Sequence, residues 1–122
     1  MNDLFEFSEQ FRLIRFQVAN WGTFCGYHDI PISEKGHLFV GDSGSGKSTL
    51  LDAMSVLLVP RRYLNFNAAA REGEKSRGDR NFVSYVRGAW SNRLDEHGSP
   101  VIEFLRKDSV WSAIALTYRS DL

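Results

Sequence analysis

The chain has 122 residues, 43% of them hydrophobic, and sets 15 basic side chains against 15 acidic ones, so it fits one small domain and no overall charge directs it to a polyanion or a membrane surface. Its single cysteine, Cys25, excludes an internal disulfide, and no apolar run nears the roughly 18 residues that span a bilayer. The first residues, Met-Asn-Asp-Leu-Phe-Glu, lack the basic start and long apolar stretch of a secretory signal, and a reducing, cytoplasmic setting is expected.

From Arg12 to Asn20, Ile14, Phe16 and Val18 alternate with Arg15 and Gln17, the period of a half-buried strand. Trp21-Gly22-Thr23 breaks this run. A second strand is predicted from about Thr23 to Ile32, interrupted by Gly26 and ending near Pro31, so the two form a β-hairpin. His37 to Val40 then reads as a short apolar strand of the buried parallel kind.

Gly41-Asp-Ser-Gly-Ser-Gly-Lys-Ser48 follows and matches G-x-x-x-x-G-K-S, the phosphate-binding loop, between that strand and a helix beginning at Lys47. Gly41, Gly44 and Gly46 permit backbone angles closed to other residues. The backbone of Gly41, Asp42, Ser43, Gly44, Ser45 and Gly46 can therefore close round phosphate oxygens at the positive end of the helix. Lys47 would set its ammonium against the β- and γ-phosphates, the Ser48 hydroxyl would ligate Mg²⁺, and Thr49 is a weaker candidate for the α-phosphate.

In the helix, Leu50, Leu51, Met54, Leu57 and Leu58 fall on one face at spacings of three and four and are expected to pack on the sheet until Pro60 stops the helix. From Arg61 to about Gly78 no period is sustained, although Tyr63-Leu-Asn-Phe66 is suited to local packing. Between Arg61 and Arg93 there are eight basic residues (Arg61, Arg62, Arg71, Lys75, Arg77, Arg80, Arg87, Arg93) and three acidic ones. The segment reads either as a face for a polyanion such as DNA or as a solvated loop.

Asn81 to Trp90 carries Phe82, Tyr85, Val86 and Ala89 at helical spacing with Asn81 as N-cap. Val101–Leu105 and Val110–Tyr118 read as strands around the turn Arg106-Lys-Asp-Ser109, with Ile114, Leu116 and Tyr118 on one face of the second. His28, His37 and His97 have no Cys or His at ligand spacing and are read as ordinary surface or sheet residues.

Hydrolysis needs a second acidic segment, an apolar strand ending in Asp or Asp-Glu, and none follows the loop; Glu103, inside Val101-Ile-Glu103-Phe104, has the wrong surroundings. Gln10 and Gln17 both precede the loop. There is no Asn/Thr-Lys-x-Asp guanine-reading motif and no serine-glycine signature of a transport-type ATPase. One buried strand and one helix do not complete a doubly wound core, so the expected fold is α/β, the N-terminal portion of a P-loop NTPase with an antiparallel β-subdomain.

Phe11-Arg-Leu-Ile-Arg-Phe-Gln-Val-Ala-Asn20-Trp-Gly-Thr-Phe24, followed by the Gly41–Thr49 loop, resembles the opening of an SMC-type ATPase head of the ABC class. The Asn20-Trp21 turn is similar to the MukB branch. Val59-Pro-Arg-Arg62, Leu64-Asn-Phe-Asn-Ala-Ala-Ala70, Ser84-Tyr-Val-Arg-Gly-Ala-Trp-Ser91 and Glu103-Phe-Leu-Arg106 leading to Trp111-Ser-Ala-Ile-Ala115 look closer to JetC-like subunits of Wadjet plasmid-defence systems.

The resemblance implies that residues 1–122 are the N-terminal part of one ATPase head, which lacks its signature motif and second acidic strand and is inactive in hydrolysis as this chain alone. It implies ATP and Mg²⁺ as cofactors, a second head as partner, DNA entrapment or loop extrusion, a kleisin, winged-helix subunits, a toprim-type nuclease and a bacterial, nucleoid-associated location. It adds Thr23, at the turn approaching the phosphates, and Arg15, on the first strand, as nucleotide contacts. Arg87 is either a head-surface arginine near DNA or the opposing ATP, or a satisfied helix-surface charge. Two alternatives stand beside this reading: a self-contained small P-loop nucleotide-binding protein or phosphotransferase, and a non-catalytic ATP-binding module.

Overall fold

The computed structural model describes residues 10–66, 81–90, 93–108 and 110–120. Two strands, β1 (Phe11–Trp21) and β2 (Phe24–Pro31), form the predicted hairpin, paired antiparallel from Arg15 opposite Pro31 to Ala19 opposite Tyr27 and closing at Trp21 opposite Phe24. The register shifts between Ala19 and Trp21 because Asn20 adopts a left-handed backbone with φ 49°. Asparagine tolerates that conformation, and here its side-chain oxygen accepts the Gly26 N–H at 2.9 Å, bracing the turn.

Phe16 and Val18 point to one face of β1 and are fully buried, as the alternation predicts, and Trp21 joins them at the strand's end. On the other edge of β1 lies a late strand, Ala113–Ser120, also antiparallel, so that β1 is the centre of a three-stranded sheet. From that late strand Ile114 and Leu116 pack on the core while Ala113 and Ala115 face outward, as read from the sequence, but Tyr118, read on the core face, is 42% exposed.

Helix α1 (Lys47–Leu58) begins at the predicted residue and ends ahead of Pro60. Its buried face differs from the leucine stripe. Thr49, Leu50, Asp52 and Ala53 are buried, with Met54 and Val56 partly covered, whereas Leu51, Leu57 and Leu58 are exposed. Leu50 and Met54 of the predicted stripe do face the core, and the helix lies close to the β1–β2 turn, where the Thr49 methyl packs against Gly22.

Residues 37–40 correct a second expectation: they are not the buried parallel strand. No described strand pairs with them, and Leu38 and Val40 are 81% and 80% exposed. The described sheet is wholly antiparallel, and a parallel strand is buried only when parallel neighbours and covering helices flank it.

A 3₁₀ turn at Arg61–Tyr63 leads to Phe66, which does pack locally, edge-on to Phe82 and Tyr85 at 5.3 and 5.2 Å. Helix α2 (Phe82–Arg87) starts with a capping box: Asn81 Oδ1 accepts the Ser84 N–H, and Ser84 Oγ accepts the Asn81 N–H, each at 2.9 Å. It stops at Gly88, left-handed with φ 69°.

Val101–Leu105 is not the predicted strand. Among the described residues of that stretch, β3 (Arg93–Leu94) and β4 (Pro100–Val101) pair around a turn in which Asp95 Oδ1 accepts from the His97 and Ser99 N–H groups, and Phe104 makes a single antiparallel bridge with Ala89. Residues 103–106 run instead beside the end of α2, with Trp90 N–H on Glu103 O, Leu105 N–H on Gly88 O and Arg106 N–H on Arg87 O, all at 3.0 Å. The late strand is numbered β5. It takes β1 as its partner because its apolar face complements Phe16 and Val18.

Candidate functional site

The loop from Gly41 to Ser48 links the unpaired segment to α1. Gly44 and Gly46 take φ of 82° and 102°, angles that only glycine adopts without strain, and Ser45 N–H bonds Asp42 O at 3.1 Å to turn the chain. The helix then opens at Gly46 with no side-chain cap and no acidic residue in its first turn. Its first N–H groups and the positive end of its dipole are left for an anion from outside the chain.

Lys47 folds back over this opening. Its ammonium donates to the carbonyl oxygens of Gly41 and Asp42, the latter at 2.8 Å, and to Ser45 Oγ at 3.3 Å. The charge is held at the mouth of the loop. Phosphate oxygens are stronger acceptors than those carbonyls and could take the same donor. Ser48 is exposed beside it, in the first turn. The donors are those a nucleoside triphosphate requires, and the residues fit the group.

Beneath the loop is a floor made by the β1–β2 turn. A side-chain carbon on Gly46 would stand 2.8 Å from the Phe24 ring, and one on Gly22 would stand 2.6 Å from the Thr49 methyl. Trp21 donates its indole N–H to the Thr49 carbonyl and stacks on Tyr85 with ring centroids 4.6 Å apart. The Tyr85 hydroxyl in turn donates to Asp52, a carboxylate only 5% exposed on α1. Thr49 is thus placed in the packing under the loop.

Of the other expected contacts, Thr23 is exposed in that turn, next to the ring that meets Gly46. Arg15 is not brought to the loop. It lies six residues along β1 from Trp21, roughly 20 Å by strand rise, and pairs with Asp29 at 3.2 Å. It lines an open pocket with Glu34 and Arg119, which themselves form an ion pair.

In the basic segment, Arg61 lies over the Phe82 ring, Arg62 over Tyr63 and Arg87 over Phe104, at 5.9, 4.7 and 5.7 Å. Arg71, Lys75, Arg77 and Arg80 lie outside the described residues. Among the described residues no group of three or more His, Cys, Asp or Glu side chains could hold a metal, and no helix is long and apolar enough to cross a membrane.

The sequence reading missed Arg106. Placed by sequence in a turn, it donates through Nε to Val86 O at 2.7 Å and through Nη2 to Gly22 O at 2.8 Å and Tyr85 O at 3.0 Å. Its only sequence signal is its place in the Glu103-Phe-Leu-Arg106 stretch that carries the family resemblance.

A glycine loop with its lysine over an uncapped helix start, set against a small antiparallel sheet, defines a P-loop nucleotide-binding region. A family model described as the P-loop containing region of AAA domain matches residues 13–73, half of the chain, and the chain belongs to that family. No curated protein matches it.

Proposed function

We propose that this chain binds Mg-ATP through residues 41–48 as the N-terminal part of a larger ATPase head of the SMC type. The observation that carries the nucleotide reading is the Lys47 ammonium on the carbonyls of Gly41 and Asp42, beside a helix start with neither cap nor acidic neighbour. The head reading is supported by the apolar residues that the described chain leaves uncovered, Leu38, Val40, Leu51, Leu57 and Leu58. A P-loop strand and helix bury such residues in a parallel sheet, which further segments must supply.

The resemblance of residues 11–24 and of the later stretches to JetC-like and MukB-like heads supports ATP-driven DNA entrapment or loop extrusion in anti-plasmid defence. A second head, a kleisin, winged-helix subunits and a toprim-type nuclease are the partners it suggests.

The test is Mg-ATP binding by calorimetry and phosphate release, each with Lys47→Ala as control. Binding lost in the variant, with no turnover by either protein, supports a half-site. Turnover that Lys47→Ala abolishes would favour a self-contained small enzyme. Equal binding by both proteins would end the phosphate-loop reading.

A further inference from the structure

Three parts of the chain meet under the phosphate loop: the β1–β2 turn, the first turns of α1 and the end of α2. The turn touches the loop directly, through Phe24 against Gly46, Gly22 against Thr49 and the Trp21 N–H on the Thr49 carbonyl. What holds the turn is less obvious. Gly22 N–H donates to Tyr85 O at 2.7 Å, and Gly22 O accepts from Arg106. Both backbone polar groups of Gly22 are thereby tied to the end of α2 and to one guanidinium.

We infer that Arg106 is a positioning residue for the phosphate loop, acting through the Gly22 carbonyl. The inference rests on the nucleotide reading for its purpose and on the contacts alone for its mechanism. One planar fork joins Gly22, Tyr85 and Val86 across separations of 84, 21 and 20 residues. The guanidinium donates from two nitrogens, Nε and Nη2, held in one plane, whereas a lysine gathers its donors on a single nitrogen and cannot reproduce that spacing.

The space is closed to alternatives. A side-chain carbon at Gly88 would stand 2.7 Å from Gly22 O and 2.9 Å from Arg106 Nη2, so glycine there lets the fork reach the turn. Without the guanidinium, three carbonyls in this partly buried place lose a charged donor, and the turn loses its link to residues 103–106. The floor is then held to α2 only by the Gly22–Tyr85 backbone bond and the Trp21–Tyr85 stack, and its coupling to the loop loosens.

The experiment is amide hydrogen exchange of the wild-type chain, Arg106→Ala and Arg106→Lys, without nucleotide, with the β1–β5 amides near Gln17 and Ala115 as internal reference. Exchange of the hydrogen-bonded amides of the loop and its floor, Gly22, Ser45 and Leu50, should quicken about tenfold or more in Arg106→Ala and less in Arg106→Lys, with the reference amides unchanged. Loop exchange equal to wild type, or a uniform rise across loop and reference, would overturn the inference. If Arg106→Ala does not fold, Arg106→Lys is read by the same criteria.

Mg-ATP titration of the same proteins separates the two readings. Affinity that falls about tenfold in Arg106→Ala agrees with both. A wild-type chain that binds no ATP would remove the nucleotide reading, while the exchange result still decides whether the loop depends on Arg106.

Discussion

Trp21 donates its indole N–H to the carbonyl of Thr49 at 3.0 Å, a bond across 28 residues that ties the end of β1 to the helix carrying the phosphate loop. The indole is 2% exposed and stacked on Tyr85, so it has no access to water as an alternative acceptor. Trp21→Phe keeps a ring for the stack and removes the donor. The expected cost is about 1 kcal/mol for the bond, with more for lost ring area. Trp21→Ala should cost about 3–5 kcal/mol. Thermal unfolding followed by circular dichroism measures both, and a Trp21→Phe protein as stable as wild type would show that the bond contributes nothing.

At Gly46 two separate obstacles oppose any side chain: a backbone φ of 102° and the Phe24 ring, 2.8 Å from a new Cβ. Gly46→Ala is expected to lower Mg-ATP affinity at least about tenfold, the left-handed backbone alone costing roughly 1–2 kcal/mol. Removing the ring relieves only the steric part. Adding Phe24→Ala should therefore recover some affinity in calorimetry and never all of it. Full recovery would mean that the backbone angle is not needed for binding.

The hairpin was legible because Ile14, Phe16 and Val18 alternate with polar residues and Asn20-Trp-Gly marks its turn, and the start of α1 was legible from the Gly-Lys-Ser sequence. The buried side of α1 was not. Periodicity counts apolar side chains, whereas the turn accepts Thr49 because its methyl fits against Gly22, and Asp52 because the Tyr85 hydroxyl donates to it at that depth. Residues 37–40 carry the composition of a buried strand, yet burial depends on neighbours that composition does not reveal. Arg106 gives no signal beyond its place in Glu103-Phe-Leu-Arg106, since its side-chain partners are 20 or more residues away.

The exposed leucines of α1 should respond differently from its buried ones. Leu57 lies on the uncovered side, and Leu57→Glu is expected to change the stability of this chain by no more than about 0.5 kcal/mol. Leu50 is buried in the core, and Leu50→Ala should cost about 2–5 kcal/mol. Urea unfolding of the two variants checks the pair. A large loss from Leu57→Glu would show that this face is already covered within the chain, and the proposal of a missing sheet would fall with it.

Ser48 tests the metal. Its hydroxyl is exposed in the first turn of α1, one residue after Lys47, and the described residues offer no cluster of acidic or imidazole side chains to hold a cation. A divalent ion at this site would therefore depend on the phosphates and on that hydroxyl. Ser48→Ala leaves Lys47 and the glycine backbone in place, so ATP affinity in EDTA should match wild type within about twofold, while the gain in affinity on adding Mg²⁺ shrinks. Titration of ATP into both proteins with and without Mg²⁺ makes the comparison. The same Mg²⁺-dependent gain in wild type and Ser48→Ala would remove Ser48 from the metal's ligands and leave Lys47 as the principal side chain on the phosphates.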